Sequence, residues 1–314
     1  MTYKQVLQAF ELLDTPAANG EMIKKVLQNE GAADVLVTHV QEKSFTPTDF
    51  IRIKIPGISG KSKGGKAPTL GIIGQLGGIG ARPEQIGFVS DGDGALAALA
   101  AALKLAGMNY LGDKLPGDMI ITTHICPAAP IKPHDPVPFM NSPVSNETMN
   151  FYLNDKEMDA ILSVDTTKGN RILNHKGFAI TPTVKEGYIL RVSEDLLDIM
   201  SYTSGCLPKV LPISMQDITP YGNDIFHINS ILQPSVVTSA PCVGVAITTE
   251  SVVPGCASGA THLEDIDKVV RFCIETAKAF GKGTCRFYDK AEFERIKNLY
   301  GSMAHLQTSG NEQN

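Results

Sequence analysis

Three segments between Thr69 and His124 set the expected architecture: Thr69-Leu-Gly-Ile-Ile-Gly74, Asp91-Gly-Asp-Gly-Ala-Leu-Ala-Ala-Leu-Ala-Ala-Ala-Leu103 and Asp118-Met-Ile-Ile-Thr-Thr-His124. The first and third are short, continuous apolar runs, as expected of strands buried on both faces. Between them, Ala95 to Ala106 is apolar nearly all round, which predicts a buried helix. Strand, buried helix, strand is the unit of a parallel sheet covered on both sides. Further out, Asp159-Ala-Ile-Leu-Ser-Val-Asp165 and Pro241-Cys-Val-Gly-Val-Ala-Ile247 predict two more such strands, the last followed by an amphipathic helix over Leu263–Phe280. Upstream, Asp49-Phe-Ile-Arg-Ile-Lys-Ile-Pro56 alternates as a strand open on one face should. Two helices precede it. Val6, Phe10 and Leu13 share one face of the first, which Pro16 stops; Asn19-Gly-Glu opens the second, with Ile23, Val26 and Leu27 inward. Ser59-Gly-Lys-Ser-Lys-Gly-Gly-Lys66 reads as a basic, flexible loop. The expectation is an α/β fold with a mostly parallel or mixed sheet and helices on both faces. No internal repeat or long linker divides it, so residues 1–300 are expected to form a single α/β domain and 301–314 an irregular tail.

Composition narrows the function classes. With 43% hydrophobic and 19% charged residues, the chain has apolar material for a core and is not of the disordered type. It carries 28 basic and 33 acidic residues for a net charge of -5, which argues against nucleic acid or an anionic membrane as partner. No run approaches the ~18–20 apolar residues of a membrane span, and the opening MTYKQVLQAF lacks a signal pattern. Six cysteines without a CxxC pair read as reduced thiols, and the expected location is the cytoplasm. Homo-oligomerisation is left open.

Ligands of open α/β sheets gather beyond the carboxyl ends of the strands. Those ends offer Gln75, then Asp91 and Asp93 on the following turn, His124, Asp165, and Glu250 with His262 behind it. Carboxylates and an imidazole from separate strand ends suit a divalent metal that keeps one position open for water. Each residue also has a structural reading. Asp91 and Asp93 are placed to cap a helix, His124 to be a satisfied core histidine, and Asp165 to shape a turn. His134 lies in Pro133-His-Asp-Pro136, where an exposed loop histidine has no special role. Cys126 and Cys256 are either nucleophiles or small buried hydrophobes. Nucleotide motifs fail: Gly60-Lys61-Ser62 has Ile55 where a phosphate loop needs its first glycine, and Gly74–Gly80 does not match a dinucleotide fingerprint.

The order of elements resembles the co-catalytic zinc aminopeptidases. The resemblance rests on Pro16-Ala-Ala-Asn-Gly-Glu21, the strand Ile51–Ile55 closing in Pro-Gly, the Ser90-Asp91-Gly-Asp93-Gly-Ala95 turn opening a buried helix, Val164-Asp165, Gly222-Asn-Asp224, and His262 before the C-terminal helix. It implies a three-layer, phosphorylase/hydrolase-like architecture and a metal-bridging role for Asp91. The chain departs from that pattern in two places: Gln75 stands where the first metal histidine belongs, and Thr123-His124 replaces a Glu-Glu pair that supplies the general base. More closely, Leu76–Pro83, Thr123–His134, Ser163–Arg171, Gln216–Gly222 and Val253–His262 resemble a bacterial family of about this length, known only as a domain of unknown function.

Together these expectations describe a metal-dependent hydrolase of a small amide or peptide-like substrate. Asp91, His124, Asp165 and His262 would hold zinc, with manganese or cobalt as alternatives. Glu250, His134 or Asp93 would accept the proton, and Lys168, Asn170 and Arg171, with Lys185, would grip a carboxylate or phosphate. The rival expectation is a catalytically depleted peptidase-like scaffold that binds a small ligand or protein partner. A third is covalent chemistry at Cys126 or Cys256.

Overall fold

The computed structural model describes residues 2–43, 46–213 and 225–308. In chain order, helices α1 (Tyr3–Leu13) and α2 (Gly20–Asn29) lead into strands β1 (Asp34–Val40), β2 (Thr48–Ile55) and β3 (Leu70–Gly74). A 3-10 turn over Ser90–Gly92 runs directly into α3 (Asp93–Tyr110), followed by β4 (Met119–Ile125), the two-residue strands β5 (Ile131–Lys132) and β6 (Phe139–Met140), α4 (Asn146–Leu153) and β7 (Ala160–Thr166). Three short strands come next, β8 (Gly177–Ile180), β9 (Val184–Lys185) and β10 (Tyr188–Ile189). Then follow α5 (Glu194–Ser204), β11 (Cys242–Thr248), α6 (Leu263–Gly281) and α7 (Lys290–Tyr300).

Nine strands form one mixed sheet in the order β1-β2-β4-β3-β7-β11-β9-β10, with β8 also pairing β11. The four central strands β4, β3, β7 and β11 are mutually parallel; β2 on one side and β8 and β9 on the other run against them. Because side chains alternate along a strand, successive apolar residues serve two separate cores. Ile72, Ile121, Leu162 and Val245 face a core shared with α1, α2, α3, α5 and α6. Ile73, Ile120, Ile161 and Ala246 face a smaller one closed by α4 and the 230–236 segment. This is a three-layer architecture, and it explains why these strands are apolar throughout.

The alanines of α3 have the same cause. From Asp93 to Leu103 every residue is buried, because the helix lies against the sheet beneath α1 and α6. Only small side chains allow such packing on all sides. Gly94 is the tightest point: a Cβ there would lie 2.3 Å from the Gln75 carbonyl oxygen and 2.4 Å from that of Val164. The first turn of α3 therefore rests directly on the ends of β3 and β7.

Two features differ from expectation. The edge strand β1 was not anticipated, although Val35-Leu-Val-Thr-His-Val40 is rich in the β-branched residues that favour strands; only Val35 in it is buried. The Ser59–Lys66 loop is pinned rather than flexible: the buried Asp118 carboxylate accepts the Gly57 and Ser62 backbone N–H groups and the Ser62 hydroxyl at 2.7–2.8 Å. In the tail, Gln307 donates to the carbonyls of Ser235 and Thr238, so its described part is docked against the molecule.

Candidate functional site

Strands β3 and β7 are neighbours whose onward connections leave in opposite directions, β3 through α3 to β4 and β7 toward β11. Such a switch point opens a crevice at the carboxyl edge of a sheet. Asp91 and Asp93 sit on this edge, both buried. Neither serves as a helix N-cap: the N-cap residues of the 3-10 turn and of α3 are Val89 and Gly92, without a side-chain cap bond.

Asp93 instead takes part in a buried ion pair. Its Oδ2 accepts from the Lys168 ammonium at 2.5 Å and its Oδ1 from the Thr261 hydroxyl at 2.6 Å. The carboxylate is fully buried and the lysine side chain only 7% exposed. Burial pushes the Asp93 carboxyl upward, and Lys168, Thr261 and His262 oppose that rise. Asp91 forms no ion pair among the described residues. Burial raises its carboxyl to about 7, a hydrogen bond from the Cys256 thiol works against the rise, and Asp93 adds to it. The Cys256 thiol is itself pushed far up, first by burial and then by Asp91. The 255–258 segment is tied down over this edge, with Ser90 and Asp91 donating backbone N–H groups to the carbonyls of Ser258 and Cys256.

His124 is a core residue. The Gly77 N–H donates to its Nε2 at 2.9 Å, so the proton sits on Nδ1, which meets the Thr48 hydroxyl at 3.0 Å. The Thr48 hydroxyl donates in turn to the Ile125 carbonyl and so accepts from Nδ1. Both ring nitrogens are committed and burial lowers the imidazole pKa to about 3. This corrects the expectation of a metal ligand: no lone pair remains to give. The histidine holds the turn after β3, where Leu76 adopts a left-handed φ of 61°, a conformation that side-chain-bearing residues rarely adopt.

The remaining predicted residues divide. Asp165 lies at the end of β7, 5% exposed, and accepts the Thr166 N–H. Asn170 accepts the N–H groups of Ile172 and Leu173 and so shapes its own turn. Arg171, Glu250 and His262 are exposed, His262 immediately before α6 with its charge felt at Asp93. His134 is stacked 4.1 Å from Phe139 and bonded to the Val137 carbonyl, apart from the carboxylates. Lys185 lies elsewhere, on β9, bonded to Glu186 and the Ser239 carbonyl. The motifs Gln216–Gly222 and Gly222–Asp224 fall outside the described residues. Thr261 was not anticipated; a threonine 168 positions from Asp93 leaves no local signal.

These residues do not fit a metal. His124 has no free nitrogen, and Asp93 already carries an ammonium on one oxygen, whose charge would repel a dication. Among the described residues no three His, Cys, Asp or Glu side chains converge to hold an ion. Cys126 does not fit a nucleophile either, since burial raises its thiol to about 11.

Fold and site together define an α/β protein of aminopeptidase-like, three-layer architecture. A mutant of tomato leucine aminopeptidase is a structural neighbour, with a TM-score of 0.50 at 12% identity, over 85% of this chain and 61% of that one. This chain thus spans less than two thirds of that enzyme, and the likeness is one of fold. The chain belongs to the family described as "Protein of unknown function (DUF1177)", whose model matches residues 38–310. No curated protein matches it. No helix among the described residues is long and apolar enough to cross a membrane.

Proposed function

We propose that this protein is a metal-independent, peptidase-like scaffold that binds a small amide- or peptide-like ligand at the switch point between β3 and β7. The observation that carries this is the buried Lys168–Asp93 pair. Burying an ion pair beside a second buried carboxyl is costly, and such arrangements concentrate at functional sites. Here an ammonium is the cation held beside the two carboxyls, and with His124 committed to the core this favours the binding scaffold over the metallohydrolase. Half-buried Thr166 and Thr167 directly precede Lys168 in the chain and carry hydroxyls for an amide, and exposed Arg171 offers a guanidinium for a terminal carboxylate.

A second reading has one observation in its favour. A carboxyl titrating at about 7 is suited to proton transfer at neutral pH, so Asp91 would serve as acid–base in turnover of the bound ligand.

A thermal-shift panel of dipeptides, N-acyl amino acids and their carboxamides, run in the presence of chelator, tests the binding. At least one carboxylate-bearing class should raise the Tm saturably, and Arg171→Ala should weaken that ligand about tenfold, the ~1.5 kcal/mol of a charge-assisted hydrogen bond. Ligand effects that appear only when metal is added would contradict the proposal. Release of product from the stabilising ligand, lost in Asp91→Asn, would establish the second reading.

A further inference from the structure

The opposite edge of the sheet carries a different feature. A cleft of about 780 Å³ opens where the central strands begin, bordered by Pro68 ahead of β3, Asp159 ahead of β7 and Pro241 ahead of β11. Six cationic side chains line it: Lys61, Lys66, Lys156, Lys185, Arg286 and Lys290. Asp159 is the one acidic residue among its lining residues. In a chain with a net charge of -5, that is a marked local reversal of sign.

The cations are positioned in different ways. Lys61 bonds Asp159 at 2.7 Å, and Asp159 in turn accepts the Thr69 N–H. Lys185 is 10% exposed along its side chain, held by Glu186 and the Ser239 carbonyl, with its ammonium over the rings of Tyr288 and Phe293 at 5.6 and 5.1 Å. Arg286 reaches Asp195 at 3.4 Å. Lys66, Lys156 and Lys290 are exposed and form no ion pair among the described residues. The loop bearing Lys61 and Lys66 is the one pinned by Asp118, so two of the cations stand on a fixed support.

We propose that this cleft binds a phosphorylated small molecule that also carries a ring. Several convergent ammonium groups in a concave site concentrate a multivalent anion, and each contact to a phosphate oxygen is charge-assisted. The volume lies within the ~300–1,000 Å³ of small-molecule sites, which sets it apart from the long basic stripe that a nucleic acid tracks. Half-buried Pro68, Phe280 and Tyr288 line the same cleft, and their ring faces give a ligand ring apolar surface to lie against. This site is separate from the carboxyl edge and does not depend on how that edge works.

Calorimetric titration at constant ionic strength, without divalent cations, tests the assignment with three probes: adenosine diphosphate, pyrophosphate and inorganic phosphate. Adenosine diphosphate should bind saturably at one site, more tightly than pyrophosphate, and phosphate most weakly. The Lys66→Gln/Lys156→Gln/Lys290→Gln variant, which removes only exposed lysines outside any ion pair, should weaken adenosine diphosphate at least tenfold while keeping the wild-type Tm. Absence of saturable binding, or affinity unchanged in the variant, would overturn the proposal. Pyrophosphate binding as tightly as adenosine diphosphate would remove the ring from it. A short DNA duplex bound as tightly, and lost in the same variant, would identify a general polyanion surface instead.

Discussion

Asp91 and Asp93 stand two positions apart and meet different environments, and most of the chemistry at the carboxyl edge follows from that difference. Asp93 has the Lys168 ammonium; Asp91 has a weak thiol donor and a neighbouring carboxyl. The Asp91 pKa moves from 3.8 in the unfolded chain to about 7 in the fold, so the folded state takes up its proton more readily. A raised carboxyl costs nothing below the unfolded value, and its penalty grows as pH climbs from about 4 to about 7. Asp91→Asn, which cannot ionise, should therefore gain Tm relative to wild type across that window and hold the gain above it. A Tm difference that does not change between pH 4 and pH 8 would contradict the burial described. For the ion pair, Lys168→Met should cost roughly 3–5 kcal/mol in urea unfolding, because it strands a buried carboxylate. Adding Asp93→Asn should recover at least half of that loss; additive losses would mean that the two groups do not interact. None of this pairing was legible beforehand. Lys168 and Asp93 lie 75 positions apart, and nothing local to Thr166-Thr-Lys-Gly-Asn170 distinguishes a buried lysine from a solvated one. His124 was legible in type but not in role, since a histidine ending an apolar strand reads the same with its nitrogens free or committed.

At the scale of elements, α3 fixes where the two carboxylates lie, and it does so by backbone contact. The helix start abuts the ends of β3 and β7 through Gly94. Gly94→Ala should destabilise by about 1–3 kcal/mol or more, because the Val164 carbonyl lies in β7 and the Gln75 backbone just past β3 is bonded to it, so neither can readily yield. Gly107→Ala, in the same helix but with no atom closer than 3.8 Å to the new Cβ, should stabilise by ~0.5–1 kcal/mol. Opposite signs in chemical denaturation would verify that the contact, and not helix propensity, governs the site; equal effects would refute it. These central elements were well marked in the sequence, since a strand buried on both faces and a helix buried all round each leave an unbroken apolar run. The two-residue strands at the far side are too short to leave one, and β1 carries β-branched residues but no alternation, with Leu36 exposed, so it does not stand out as a half-buried strand.

For the molecule as a whole, the two edges of the sheet carry different polar chemistry. At the carboxyl edge, carboxyls and one ammonium are buried beneath loops. At the other, an open cleft gathers lysines in a chain of net negative charge. The resemblance to zinc aminopeptidases anticipated the three-layer arrangement, which follows from element order. It did not extend to the ligand set, where Gln75 and Thr123-His124 replace the expected donors. The carboxyl edge holds an ammonium, Lys168 on Asp93, as its buried cation, and takes up no metal beside it. Elemental analysis of protein purified without chelator, then dialysed against zinc, manganese and cobalt in turn, tests it most directly. Less than about a tenth of an equivalent of any metal is expected, unchanged in Asp91→Ala; near one equivalent in the wild type, lost in that variant, would show that the edge is a metal site.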